Sequence, residues 1–421
     1  MRQTETELEQ RAHAFAMSGD SSSEAARNGE SPALVSDCLS VLAEEARYLG
    51  MRRIHILAWR DLEDPEAGGS ELHAHRIASQ WASTGLDISM WTSRADGHSS
   101  KDRRAGYSVE RRGGRYAVFP RCALFGSFRF GRNDGVVEIW NGMPFFSPVW
   151  APGPRVVFLH HIHAEMWQMT LTPKLAKLGR FLEERVAPPF YRRSRIITLS
   201  DSSRDEIVSR FGIRPDRVSV VPPGVEARFS PGGELSETPL VVGVGRLVPV
   251  KRFAALMDSL AKVHAEHPAL RAVIVGEGYE RQHLEAHRRA LGAESWLDMP
   301  GKLSDDELVD IYRRAWIVVS SSQREGWGMT ITEAGACGTP AIATRITGHA
   351  DAIEHGKSGY LVDDPEAIAD SASEVIADHN LRSRLAAGAR SRASRLTWEA
   401  TATGTLSALV DEARRRRKIP A

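Results

Sequence analysis

The chain has 421 residues, 42% of them hydrophobic, and a formal net charge of +1, which suits a large globular protein with two cores of ordinary size. Its three cysteines, Cys38, Cys122 and Cys337, form no C-x-x-C pair; this argues against a disulfide framework or a structural zinc site and fits a reducing cytoplasm. No run approaches the roughly 18 apolar residues of a membrane span, and Glu5, Glu7 and Glu9 stand where a signal peptide needs an apolar stretch, so a cytoplasmic protein is expected.

In chain order, residues 1–50 read as a leader. Its polar part, including Ser18-Gly-Asp-Ser-Ser-Ser23, is expected to be mobile, and Leu34, Leu39, Val41, Leu42 and Leu49 then mark a helix. A first domain, 51–222, opens on the apolar strand Ile54–Ala58. Further strands are predicted at Leu86–Trp91, Val136–Trp140, Arg155–Leu159, Arg195–Leu199 and Val218–Val221, with helical stretches between several of them, the pattern of a parallel sheet. Pro222-Pro223-Gly224 breaks the pattern, and a second α/β series, 223–397, has its first strand at Leu240–Val244. A final helix occupies 398–421.

Within the first domain, Pro65-Glu-Ala-Gly68-Gly69-Ser70-Glu71 follows the first strand and opens a helix through Leu72, Ile77 and Trp81. A helix start at that place offers free N–H groups to a phosphate, and Gly68 and Gly69 let it approach; a plain turn with a serine cap is the structural alternative. His160, His161 and His163 follow a strand and are expected at the rim of a ligand site, with no zinc-like ligand set nearby. Residues 101–200 carry 17 Lys or Arg against 7 Asp or Glu, an excess of +10. Lys174, Lys177 and Arg180 alternate with Leu175, Leu178 and Phe181 in a basic amphipathic pattern. It fits either peripheral contact with an anionic membrane or phosphorylated acceptor, or, as the favoured reading, a helix whose apolar side packs into the domain. Arg414–Lys418 adds a basic tail. No aromatic-basic module points to nucleic acid.

In the second domain, Arg246 and Lys251 lie just past a buried strand, where a guanidinium fork and a compact ammonium can hold a diphosphate. Gly243-x-Gly245 and Gly276-x-Gly278 each lack the third glycine of a dinucleotide fingerprint, because Val248 and Arg281 stand there. The densest signal is Ser322–Thr344, where Glu325 and Glu333 flank the helix start Gly326-Trp327-Gly328-Met329-Thr330. Glu325 precedes the helix and can face a ligand at the strand end. Glu333, more than one turn inside, can reach a ribose.

These residues resemble the retaining glycosyltransferase family 4. The segment 325–340 matches E-G-[FW]-G-x-x-x-x-E-A-x-A-x-G-T-P, with Glu325 and Glu333 eight apart, and Gly245-Arg246-Leu-Val-Pro-Val-Lys251 matches G-R-L-x-x-x-K. Val273–Gly278, Gly348–Asp351 and Gly356–Val362 resemble its remaining elements, so the likeness runs in order from about Arg52 to Trp398. The resemblance implies a GT-B fold, two Rossmann-like domains facing a central cleft, with the final helix crossing back to the first domain. It implies a nucleoside-diphosphate sugar as donor and a hydroxyl acceptor: glycan, lipid-linked or small molecule. Arg246 and Lys251 would clasp the diphosphate, Glu325 the sugar and Glu333 the nucleoside, with Gly326, Trp327, Gly328, Met329 and Thr330 completing the donor pocket. Gly68 and Gly69 would approach the donor or acceptor, and His160 or His161 the reacting centre. No metal and no cofactor beyond the donor are expected. The alternatives are a nucleotide-sugar epimerase or a phosphorylase on the same scaffold, or a non-catalytic nucleotide-sugar binding protein.

Overall fold

The computed structural model describes residues 32–417 apart from 65, 95, 165 and 171. The expected mobile leader at residues 18–23, together with Pro65, Leu171 and Lys418 of the segments read above, lies outside the described residues. The chain divides into one unit of residues 1–224 and 397–421 and a second of residues 225–396.

Among the described residues, the first unit holds an eight-stranded sheet in the order β3-β4-β2-β1-β5-β6-β7-β8. Its strands are β1 (Arg53–Leu57), β2 (Asp87–Thr92), β3 (Lys101–Arg104), β4 (Tyr107–Arg111), β5 (Gly135–Trp140), β6 (Arg155–Leu159), β7 (Arg195–Thr198) and β8 (Val218–Val220). All pairings are parallel except β3 with β4. The inner strands are continuous apolar runs because a parallel sheet is covered on both faces. The β3–β4 hairpin is the exception: its charged, half-exposed residues at the sheet edge give no apolar run, and the hairpin was not among the predicted strands.

One helical layer covers the sheet face that carries Leu57, Trp91 and Val136. Helices Val118–Arg129 and Ser147–Trp150 pack there through Val118, Cys122 and Ala151. Trp140 lies on the same side of β5 as Val136, and against it pack helices Ala187–Tyr191 and Asp201–Phe211. Helix Trp398–Arg417 packs against helices Pro32–Tyr48 and Gly69–Ser83, with the Trp81 indole donating to the Ala402 carbonyl at 3.0 Å. Gly224, at the end of the Pro-Pro-Gly break, needs its missing side chain, since a Cβ there would stand 2.3 Å from the Trp398 nitrogen.

Two surface expectations are corrected. Leu175, Leu178 and Phe181 do not pack into the domain. All three are exposed, and the helix Pro173–Phe181 turns Ala176 and Gly179 inward instead. The reason is steric: a Cβ at Gly179 would lie 2.6 Å from the Trp167 ring, so only the small residues fit against the protein. The basic tail is largely neutralised. Arg414 pairs with Glu45 and Asp411, and Arg415 and Arg416 both pair with Glu412.

The second unit is a six-stranded, all-parallel sheet in the order β11-β10-β9-β12-β13-β14. Its strands are β9 (Leu240–Val244), β10 (Arg271–Val275), β11 (Leu297–Gly301), β12 (Ile317–Ser320), β13 (Ala341–Thr344) and β14 (Gly359–Val362). Val241, Leu256, Ile274, Ile317 and Val319 form the centre of its core. The register pairs Val242 with Val318 and Gly243 with Val319, so the loops leaving the carboxyl ends of β9 and β12 are neighbours. The β9 loop leads through a 3-10 turn, Pro249–Lys251, into helix Phe253–Glu266. The β12 loop leads into helix Met329–Cys337. That nine-residue helix is bounded by two left-handed glycines, Gly328 at φ +98° and Gly338 at φ +94°, which is why it starts and stops so abruptly.

Candidate active site

In the second unit, the loops after β9 and β12 bring Lys251 onto Glu325. The Lys251 ammonium donates to the Glu325 carboxylate, and the Ser322 hydroxyl donates to the same oxygen at 3.0 Å. The loops are tied to each other along their length. Ser321 Oγ donates to the Lys251 and Arg252 carbonyls at 2.8 and 3.0 Å, and the Gln323 amide donates to the Val250 carbonyl at 2.8 Å. Burial pushes the Glu325 carboxyl up, but the charge of Lys251 and the hydrogen bonds from Lys251 and Ser322, joined by His349 when acid protonates its ring, outweigh it and bring it down to about 2. Glu325 is therefore ionised at any working pH.

Glycines let three segments converge on this point. A Cβ at Gly328 would stand 2.9 Å from the His349 ring, and one at Gly348 would stand 2.7 Å from the Gly326 carbonyl carbon. His349 Nδ1 lies 2.9 Å from the Thr344 carbonyl, which only a ring N–H can satisfy. That leaves Nε2 as the acceptor, 3.4 Å from the Ser320 hydroxyl. Burial lowers the His349 pKa, so the neutral ring is the working form. The N-terminus of helix Met329–Cys337 opens beside the cluster, adding free amide donors and a positive dipole end.

Of the other expected donor residues, Arg246 is exposed on the β9 loop, Trp327 is buried, and Met329 and Thr330 form the half-buried first turn of the helix. Glu333 is not joined to the Lys251 cluster. Its carboxylate accepts from the Tyr312 hydroxyl at 3.3 Å. Burial raises it, Glu226 and Asp305 add like charge, and the Tyr312 bond only partly offsets this, leaving its pKa at about 7. Two glutamates eight apart thus have opposed environments: one is fixed as an anion, the other is poised to ionise near neutrality.

In the first unit, Gly68 caps the helix Gly69–Ser83 in extended backbone. The cap bond is made by Glu71, whose side chain accepts from the Gly68 amide at 2.9 Å and from the Ser70 hydroxyl at 2.8 Å. Asn141, just past β5, donates to Ser70 at 2.9 Å. His160 is buried, with Nε2 3.4 Å from His73 Nδ1 and its ring beside Phe158. Burial drives the His73 pKa down to about 3 and that of His160 well below the ordinary value, so both rings are neutral. His161 is half-exposed and stacks on His163, with centroids 5.0 Å apart. Among the described residues, no three His, Cys, Asp or Glu side chains gather as metal ligands would.

Ser322, His349, Tyr312 and His73 were not among the predicted site residues. Two of them carried a readable signal: Ser322 stands three residues before Glu325 at the end of a strand, and His349 lies within the Gly348–Asp351 segment of the family likeness. The others come from elements that only the fold brings near.

A family model described as "Glycosyltransferase Family 4" matches residues 67–229, and one described as "Glycosyl transferases group 1" matches residues 226–392. The chain is 28% identical over 401 residues to a D-inositol 3-phosphate glycosyltransferase of Acidothermus cellulolyticus, covering 84% of this chain and 87% of that one. It is likewise 28% identical over 383 residues to the protein of that name in Thermobispora bispora, covering 80% and 88%. In fold it resembles a sucrose-phosphate synthase from Thermosynechococcus elongatus, with a TM-score of 0.70 at 18% identity, covering 87% of this chain and 99% of that one. It also resembles Anabaena HepE in complex with UDP-glucose, with a TM-score of 0.65 at 19% identity and the same coverage. The chain is a glycosyltransferase of GT-B fold and belongs to family 4.

Proposed function

We propose that the chain transfers a sugar from a nucleoside diphosphate to a hydroxyl acceptor with retention at the anomeric carbon. The observation that carries this reading is the Lys251–Glu325 pair beside the N-terminus of helix Met329–Cys337. An ammonium, the guanidinium of Arg246 and free helix amides are the groups that favour charge building on a departing diphosphate. The anomeric C–O bond breaks with its electron pair passing to the diphosphate, and the acceptor oxygen bonds to the same face while its proton passes to the departing diphosphate oxygen. No metal is assigned a part in this step. Ionised Glu325 accepts from sugar hydroxyls, and Glu333 accepts from the ribose. Of the two histidines considered for the reacting centre, the half-exposed His161 is the better placed to meet a ligand, since His160 is buried against His73. The half-buried Gly68 and exposed Gly69 keep their place as an approach point for a phosphate.

For the acceptor, the +10 excess of residues 101–200 supports an anionic molecule or peripheral contact with an anionic membrane. The names of the relatives make D-inositol 3-phosphate the first compound to assay. The reading is tested with a panel of nucleoside-diphosphate sugars, by following acceptor-dependent release of the nucleoside diphosphate and assigning the product anomer by NMR. An inverted product would overturn retention, and no release with any donor would overturn the transfer itself.

A further inference from the structure

We propose that the helical layer on one face of the first unit is a docking surface for an anionic lipid bilayer. This deepens the peripheral-contact reading above and depends on none of the sugar chemistry.

The layer exposes large apolar side chains at regular helical spacing. Helix Val118–Arg129 presents Leu124, Phe125 and Phe128, the last 83% exposed. Helix Pro173–Phe181 presents Leu175, Leu178 and Phe181 at three-residue intervals, each more than half exposed. The two groups are linked across the layer. Helix Ser147–Trp150, with exposed Val149, packs on the first helix, where Trp150 fills the space at Gly126. Phe190 is exposed on the next helix and meets Phe146 edge-on with centroids 5.7 Å apart. A π-helical turn, Leu182–Val186, joins that helix to Pro173–Phe181 without a break. Isolated exposed leucines need no explanation; a strip of this length does.

The cations decide what covers it. Arg121, Arg132, Lys174, Lys177 and Arg185 are exposed and make no ion pair among the described residues. Of the two acids between 173 and 193, Glu183 is buried and Glu184 is paired with Arg180 and Arg210. Lysine is depleted in protein interfaces, and Lys174 and Lys177 stand among the exposed leucines of a single helix. They suit a bilayer boundary, where long cationic side chains reach the head groups while apolar ones enter the acyl region. A nucleic acid would satisfy the charge and leave the phenylalanines in water. No helix among the described residues is long and apolar enough to cross a membrane, so the contact lies on the surface.

The full-length protein is floated with vesicles of phosphatidylcholine alone and of phosphatidylcholine mixed with phosphatidylglycerol. Two variants are compared, Arg121→Glu/Lys174→Glu/Lys177→Glu and Phe128→Ser/Leu175→Ser/Leu178→Ser; all six positions are exposed, and circular dichroism checks their folding. Binding is expected only to the mixed vesicles, weakening as the screening length falls from about 10 Å at 0.1 M salt to about 3 Å at 1 M. Each triple variant should lower the partition coefficient at least about tenfold. Equal binding to both vesicle types, no binding, or unchanged binding by either variant would overturn the proposal. So would self-association abolished by the serine variant, which would make a second copy of the chain the occupant. Sugar transfer to a soluble acceptor is assayed separately, so a failure of the transfer reading leaves this result intact.

Discussion

The Lys251 ammonium hydrogen-bonds the Glu325 carboxylate although the two residues are 74 positions apart in the chain. Each partner answers the other's need. The lysine keeps a half-buried carboxylate ionised, and the carboxylate fixes a flexible ammonium beside a helix N-terminus.

Replacing Lys251 with Met is expected to act on both stability and catalysis. Stability should fall by about 1 to 3 kcal/mol, because Glu325 loses its partner while keeping its burial. Turnover should fall roughly a hundredfold or more through loss of charge stabilisation on the leaving group. Lys251→Met/Glu325→Gln should recover most of the stability and none of the turnover. Chemical unfolding and steady-state kinetics on the same samples separate the two effects.

The two glutamates should divide the donor between them. Glu333→Gln is expected to weaken binding of the free nucleoside diphosphate as well as of the donor. Glu325→Gln should leave nucleoside diphosphate affinity near the wild-type value and reduce transfer. Calorimetric titration with both ligands would expose a swapped assignment.

A pH dependence follows from Glu333. Its folded pKa of about 7 lies above the ordinary 4.5, so the folded state holds its proton more tightly than the unfolded chain does. Stability contributed by this group is present below pH 4.5 and is lost as pH rises through 7. Glu333→Gln should therefore gain stability relative to wild type between pH 5 and pH 8, by on the order of 1 kcal/mol or more. Nucleoside diphosphate affinity should rise over the same window in wild type and more weakly in the variant, the ligand's own titration cancelling in the comparison. Glu325 behaves oppositely: its depressed pKa of about 2 lends stability above 4.5 that is lost as pH falls toward 2.

Asp61 supports the first unit through a buried network. Arg104 donates to it at 2.9 Å, and Arg111 Nε donates to its other oxygen at 2.6 Å. Burial raises this carboxyl, but His75 and the two arginines hold it well below the ordinary value. Asp61→Asn removes the buried anion that the two arginines share while leaving them Glu63 and Asp102, and should cost about 1 to 3 kcal/mol in urea unfolding.

Much of this fold was legible because parallel strands buried on both faces are apolar runs whatever their order, and the runs beginning at Ile54, Leu86, Val136 and Leu240 each coincide with a strand. The β3–β4 hairpin was not legible, since an edge strand such as Lys101–Arg104 buries little and carries no such run. Lys251 and Glu325 could be named from local motifs at strand ends, but their contact depends on β9 and β12 being neighbours in the sheet order. The outward turn of Leu175 and Leu178 depends on Trp167 meeting Gly179, which periodicity does not record. His73 had no signal at all, because a histidine inside an amphipathic helix looks the same whether it faces solvent or His160.

The central claim is that the Lys251–Glu325 site binds and activates a nucleoside-diphosphate sugar. Its most direct test is calorimetric titration of wild-type protein and Lys251→Met with a panel of nucleoside diphosphates. We expect one of them to bind wild type and to lose at least about tenfold in affinity in the variant. Equal affinity in both proteins, or no binding of any nucleoside diphosphate to the wild type, would contradict the account.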